Sequence, residues 1–159
     1  MSSIAQRRKI LRKIPYGLYI ITSRLAGNPV ATVVSFVTQT ALDPPLLIVA
    51  LRDQSIIYQA VEQHGYFGLH FIDRDRQQMI ADFFKTENYN DQEINGYRYV
   101  NSDNNLPLLA DSPMIIEAQV QEIIKVGDHR PIIGKVLTTH LRRDIEILKM
   151  EHTNWHYGG

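Results

Sequence analysis

Residues 17–23 (GLYIITS) crowd aromatic and β-branched side chains together with no helical repeat, which predicts a strand. Ala26-Gly27-Asn28-Pro29 follows with the residue types of a tight turn. A second, longer strand is predicted over 30–39, until Asp43-Pro44-Pro45 breaks the pattern, because neither proline can donate to a ladder. Residues 46–51 (LLIVAL) are apolar without alternation, as in a strand buried on both sides. The period then changes: Ile56, Ile57, Ala60 and Val61 fall on one helical stripe, with Asp53 or Ser55 as cap and Gly65 as stop. Residues 66–72 return to strand, and 75–84 repeat the helical spacing with Met79, Ile80, Phe83 and Phe84 inward. The stretch 85–105 is polar, rich in Asn and Tyr and aperiodic; a loop of that length in a compact domain is functional or mobile. Strands are predicted over 114–125, 131–141 and 145–149, with Gly127-Asp128-His129 turning the chain between the first two. At the front, Ile4, Leu11 and Ile14 are spaced to dock a short amphipathic helix that Pro15 ends.

Strands dominate, with two helices inserted early, so the fold class expected is mainly β. Alternation is poor over 30–37 and absent over 46–51, so both faces of these strands need cover. In an antiparallel barrel the inner face packs on the core. The outer face must then meet a helix, a ligand or a second subunit, which predicts a homodimer. A chain of 159 residues suits one domain, 1–159.

Composition narrows the function classes. Lys plus Arg total 17 and Asp plus Glu total 17, so no overall field favours a polyanion or an anionic membrane. Cysteine is absent, which excludes disulfides, thiolate nucleophiles and thiolate metal sites. The longest apolar run, 44–51, is too short to span a bilayer and nothing resembles a signal peptide, so a cytoplasmic protein is expected. Arg7, Arg8, Lys9, Arg12 and Lys13 precede any acidic residue. They are read as the solvated face of the first helix, not as a targeting peptide or a nucleic-acid arm.

Candidate chemistry falls at four places. The strand segment 32–41 offers apolar surface (Val33, Val34, Phe36, Val37) and donors (Ser35, Thr38, Gln39, Thr40) beside a strand break. That suits a flavin ring, and it equally describes a Thr-rich strand with no ligand. Arg52 and Ser55 stand at a strand end and a helix start, where a charge, a hydroxyl and free helix N–H groups build a phosphate site or merely a cap. His129 follows a Gly-Asp turn and could meet a ligand or solvent. Trp155-His156-Tyr157 could stack on a flat ring or plug the barrel. No metal ligand set is expected, and the G-x-G-x-x-G, P-loop, H-E-x-x-H and G-x-S-x-G motifs are missing.

In order along the chain, Pro15-Tyr16-Gly17, Val37-Thr38-Gln39-Thr40-Ala41-Leu42-Asp43-Pro44-Pro45, Arg52…Ser55, Phe67…Phe71 and Gly127-Asp128-His129 with Ile133-Gly134-Lys135-Val136 resemble the flavin reductase family. The resemblance runs from about residue 13 to the end. It implies an FMN-binding split β-barrel of Greek-key type with a short N-terminal helix. It also implies that Ser35, Phe36, Val37, Thr38, Gln39, Thr40 and Ala41 line the flavin, Arg52 and Ser55 hold its phosphate, and Lys85 and Trp155 touch it. His129 would serve as the catalytic residue at the flavin edge or nicotinamide. The activity implied is NAD(P)H-dependent flavin reduction, with FMN as cofactor and NADH or NADPH as co-substrate. A flavin-dependent oxygenase or another electron acceptor would follow downstream. An FMN-binding electron carrier or sensor is the alternative.

Overall fold

The computed structural model describes residues 3–159. Helix α1 (Ile4–Leu11) is capped by Ser3, whose hydroxyl accepts from the Gln6 N–H. None of its residues is buried, and Ile4, Leu11 and Ile14 are exposed, so the docking expected of them is not made within one copy. The apolar spacing was too sparse to form a stripe.

Strands β1 (Tyr19–Leu25) and β2 (Asn28–Val34) form a hairpin. Its two central residues, Ala26 and Gly27, both take positive φ, the turn whose twist matches the strands. The single strand expected over 30–39 is two: β2 ends at Val34, and β3 (Val37–Ala41) begins after Ser35 and Phe36. Strand β4 (Leu46–Arg52) pairs with β3. Only Leu47, Val49 and Leu51 of β4 are fully buried; Leu46, Ile48 and Ala50 are partly open, so β4 is covered on one face and not both. Helix α2 (Ile56–His64) starts at the Ser55 cap and stops at Gly65, with φ 79°. It buries Ile57, Tyr58, Ala60 and Val61, whereas Ile56 faces solvent and Tyr58 takes the inward place expected for it.

Strand β5 (Tyr66–Phe71) and helix α3 (Gln77–Asp82) follow, with Met79, Ile80 and Phe83 buried and Phe84 exposed, against the inward expectation. The aperiodic stretch is not an open loop. It contains β6 (Glu93–Ile94) and β7 (Tyr97–Asn101), which join β8 (Pro107–Leu109) in a small second sheet. Ile94, Leu106 and Leu109 anchor it at zero exposure, and Arg24 clamps it by donating to Asn105 O at 2.8 Å and Asn101 Oδ1 at 2.5 Å. Strands β9 (Met114–Ile123) and β10 (His129–Leu141) complete the main sheet. The strand expected over 145–149 is reduced to two bridges, Asp73 with Ile147 and Gly17 with Lys149.

The main sheet has seven antiparallel strands in the order β2-β1-β5-β9-β10-β4-β3. Its edge strands β2 and β3 are consecutive in the chain and joined only by Ser35 and Phe36. At about 3.3–3.6 Å per residue, two residues cannot reach across a flat seven-stranded sheet. The sheet therefore rolls until its edges meet at that link, and it stays unclosed elsewhere because β2 and β3 do not pair. The fold is mainly β and has the form of a split barrel. Helix α2 carries the chain from β4 to β5 and packs its buried face chiefly against β1, within the core cluster of the barrel. The barrel interior holds Ile21, Val49, Phe67, Leu69, Ala118 and Ile132. No helix among the described residues is long and apolar enough to cross a membrane.

Candidate functional site

A cavity of about 480 Å³ opens where β2 hands over to β3, within the size range of small-molecule sites. Ser35 and Phe36 of the link line it, Ser35 being buried. Arg52, the last residue of β4, stands directly opposite His129, the first of β10, so both side chains leave the same face at the same end of the barrel. The pairing continues one step further, with the Asp53 N–H donating to Asp128 O at 2.8 Å. Gln54 then turns with φ 62°, and Ser55 caps α2 by accepting from the Tyr58 N–H at 3.2 Å. Phe84 reaches the cavity for a different reason. The segment 83–86 covers the free edge of β2, where the Val33 N–H donates to Phe83 O and the Ala31 N–H to Thr86 Oγ1. Phe84 thereby meets Trp155 edge-on, ring centroids 5.0 Å apart.

The cavity has two chemical ends. Leu18, Val34, Ala50, Phe84, Met150 and Trp155 give it apolar and aromatic walls. Arg52 and Ser55 gather at the other end, at the start of α2, where the Ile56 and Ile57 N–H groups have no acceptor within the helix. Arg52 makes no salt bridge among the described residues. Its neighbour Asp53 does: Arg130 lies 2.7 Å from Asp53 Oδ2, and that hydrogen bond holds the Asp53 carboxyl below its usual range. The carboxylate next to Arg52 in the chain is thus occupied, and the Arg52 guanidinium that would attract an anion is free of salt bridges among the described residues. A flat ring carrying an anionic tail fits this arrangement.

His129, opposite Arg52, is held from both sides. Its Nδ1 lies 3.0 Å from Asp128 Oδ1 and its Nε2 2.5 Å from the Tyr157 hydroxyl. With Nδ1–H donating to Asp128, Nε2 is left as acceptor for the Tyr157 O–H. The same contact holds the Asp128 carboxyl below its usual range, while burial raises the Tyr157 phenol. Phe36 completes the cluster, 5.4 Å from the His129 ring and 5.5 Å from Tyr157.

Of the residues the sequence put forward, Ser35, Phe36, Arg52, Ser55, His129 and Trp155 line this one cavity. Val37, Thr38, Gln39, Thr40 and Ala41 do not; they run along β3 at the open sheet edge, with Thr38, Gln39 and Thr40 exposed. Lys85 is also outside, paired at 2.8 Å with Glu87 on the surface. Thr32, from the 32–41 segment, and His156 and Tyr157, from the aromatic run at 155–157, line it too, as the sequence put forward, whereas Phe84 and Met150 line the cavity without having been singled out for it. No group of three or more metal-ligating side chains occurs among the described residues.

Comparison with known proteins agrees with the geometry. The profile of the flavin reductase like domain matches residues 11–158. The chain is 27% identical over 138 residues to the ferric-chelate reductase (NAD(P)H) of Archaeoglobus fulgidus, covering 86% of this chain and 82% of that protein. It is 24% identical over 141 residues to the NADH:FMN oxidoreductase of Rhodococcus erythropolis, covering 87% and 71%. Among solved structures, BorF, the flavin reductase component of a bacterial two-component tryptophan halogenase, superposes with a TM-score of 0.75. That match is at 19% identity and covers 93% of this chain and 92% of BorF.

Proposed function

Because the chain belongs to the flavin reductase like domain family, we propose that its cavity holds FMN, with Arg52, Ser55 and the first turn of α2 on the phosphate. The protein is an NAD(P)H-dependent flavin reductase. The observation that carries the site assignment is the pairing of an unneutralised Arg52 and a helix start with an apolar aromatic slot in one cavity. FMN, when bound, supplies the acceptor for hydride from the C4 of NADH or NADPH at its own N5. The residues supply the rest. Val34, Phe84 and Trp155 bed the ring and keep water from it. Ser35 and the link backbone supply donors to its polar edge. His129, steadied by Asp128 and Tyr157, orients the nicotinamide over the ring, so the histidine acts by position.

The whole chain, 1–159, works as one FMN-binding domain. A homodimer is supported by the open edge of β3 and by Leu42 beside it, 85% exposed. In such a dimer Val37, Thr38, Gln39, Thr40 and Ala41 would complete the flavin site from the interface side. Reduced flavin would pass to a flavin-dependent oxygenase or another electron acceptor in the cytoplasm, as BorF's two-component setting suggests by analogy.

The test is colour and bleaching. Purified protein loaded with FMN is expected to be yellow and to bleach anaerobically with NADH or NADPH. His129→Ala should raise the nicotinamide KM about tenfold, the loss of one oriented contact. Unchanged KM and turnover would remove His129 from the role, and colour without bleaching would leave an FMN carrier instead.

A further inference from the structure

Behind the aromatic tail lies a second cavity, of about 360 Å³. Arg12, Lys13 and Ile14, Tyr16, Lys149 and Glu151 wall it. Met150, Trp155, His156 and Tyr157 line both cavities, so the tail is a shared partition between them. Arg52 and Ser55 face the first cavity only.

The charge of this second cavity is not what the composition suggests. The chain is neutral overall, yet its first acidic residue is Asp43, and Arg7, Arg8, Lys9, Arg12, Lys13 and Arg24 all come before it. Arg24 is used inside the fold, on Asn105, Gly27 and Asn101. The others sit on α1 and at its exit, and no residue of α1 is buried. Within the cavity Arg12, Lys13 and Lys149 face a single carboxylate, Glu151, whose Oε1 lies 3.8 Å from Lys149 Nζ. Arg12 spends its Nε on the Gly158 carbonyl at 3.1 Å, which leaves the outer fork of the guanidinium for a ligand. Lys13 has no salt bridge among the described residues. A concave wall with surplus positive charge concentrates an anion, and Arg with Lys at close range selects phosphate.

Two cavities sharing one wall suit a ligand with two heads, a flat ring in the first and phosphate in the second. We propose that the second cavity binds the phosphate-bearing adenosine half of the nicotinamide dinucleotide, with Arg12, Lys13 and Lys149 as its phosphate ligands. The inference rests on the flavin reading above, because it needs the nicotinamide head over the ring beside His129. An adenosine phosphate also occurs in FAD. There it would extend from the flavin phosphate, and the Arg52–Ser55 end that holds that phosphate does not reach the second cavity. The nicotinamide nucleotide is therefore the occupant.

The experiment compares wild type, Lys13→Glu and Lys13→Arg, all FMN-loaded. Adenosine 2′,5′-bisphosphate binding is measured by calorimetry, the NADPH and NADH KM values by steady-state kinetics, and FAD binding by flavin fluorescence. Lys13 is exposed, and a thermal melt checks that each variant folds. Reversing the charge is expected to weaken bisphosphate binding and raise the NADPH KM by about tenfold, the scale of one lost phosphate contact, with kcat little moved. Lys13→Arg, which keeps the positive charge, should recover most of the bisphosphate affinity that Lys13→Glu loses. Unchanged bisphosphate affinity in Lys13→Glu overturns the proposal. A loss confined to FAD overturns the assignment to the nicotinamide nucleotide. Bisphosphate binding that depends on Lys13, in a protein that oxidises neither nucleotide, supports the cavity and refutes the reductase chemistry separately.

Discussion

Ser55 has two jobs in this structure, and they can be separated. Its hydroxyl caps α2 by accepting from Tyr58, and it stands beside Arg52 in the cavity. Ser55→Ala removes both functions. The cap alone should cost about 1 kcal/mol of stability, and loss of a hydroxyl contact to phosphate about another 1 kcal/mol of FMN affinity, roughly fivefold. Ser55→Asp keeps the cap, since Asp accepts from the first turn as well as Ser does, and its charge suits the helix N-terminus. The same charge stands close to any phosphate held there. Two like charges about 4 Å apart repel by about 4 kcal/mol at an effective dielectric near 20. Arg52 is exposed and Ser55 half-buried, so screening brings this nearer to about 2 kcal/mol, roughly thirtyfold in Kd. The assay is a pair of measurements: thermal melting of the apoprotein, and FMN titration by fluorescence quenching. The expected pattern is crossed, with Ala losing stability and some affinity, and Asp keeping stability while losing most affinity. An Asp variant that melts like wild type and binds FMN within about twofold of it would place the phosphate elsewhere.

Two further predictions concern the frame. His70 is fully buried, with Nδ1 3.1 Å from the Ile20 carbonyl and Nε2 accepting the Leu109 N–H, and burial pulls its pKa from 6.5 to about 4. Above about pH 6.5 the ring is neutral folded or unfolded and nothing is lost. As pH falls from there the unfolded chain takes the proton first, so stability should drop by about 1.4 kcal/mol per unit, about 3 kcal/mol by pH 4. Urea titrations of wild type and His70→Gln should show a shallower slope in the variant, and parallel slopes would refute the assignment. Gly134 lies under Phe67, where an added Cβ would sit 2.7 Å from the ring and 3.2 Å from Ala118 Cβ. Phe67 has no exposure and no room to retreat, so Gly134→Ala should cost about 1–3 kcal/mol in chemical denaturation. A cost within about 0.5 kcal/mol would mean the core yields there.

Local chemistry was legible in the sequence where one residue decides the backbone. Ala26-Gly27, Ser55, Gly65 and the turn at Gly127 (φ 79°) all sit at the ends expected of them. The break at Ser35 and Phe36 left no such mark. No proline or glycine stands there, and Val33, Val34 and Val37 favour a strand on either side. What ends β2 is tertiary: the sheet has run out of neighbours on one edge, and the chain must cross to the other. The same limit hid the small second sheet, whose strands are too short and polar to show a period. The cavity was half legible. Arg52, Ser55 and His129 are strand-end and cap positions that sequence can mark, whereas Tyr157 reaches His129 across 28 residues and Phe84 arrives only because its neighbours cover the edge of β2.

The two-residue link between β2 and β3 also sets an order of assembly. Each hairpin of the sheet can form from near neighbours in sequence, but the link lies in place only after β10 has paired with β4 and β9, since those strands bring the far edge round. Loop-closure entropy makes such a contact late and slow. The cavity is built at that seam, from residues as far apart as Leu18 and Tyr157. A half-folded chain therefore lacks this cavity, and, with FMN held there as proposed, the appearance of flavin quenching during refolding would time the closing of the barrel. Once closed, ligand holds it so: at a hundred times its Kd, a bound flavin adds about 2.7 kcal/mol to the folded state and nothing to any state in which the seam is open.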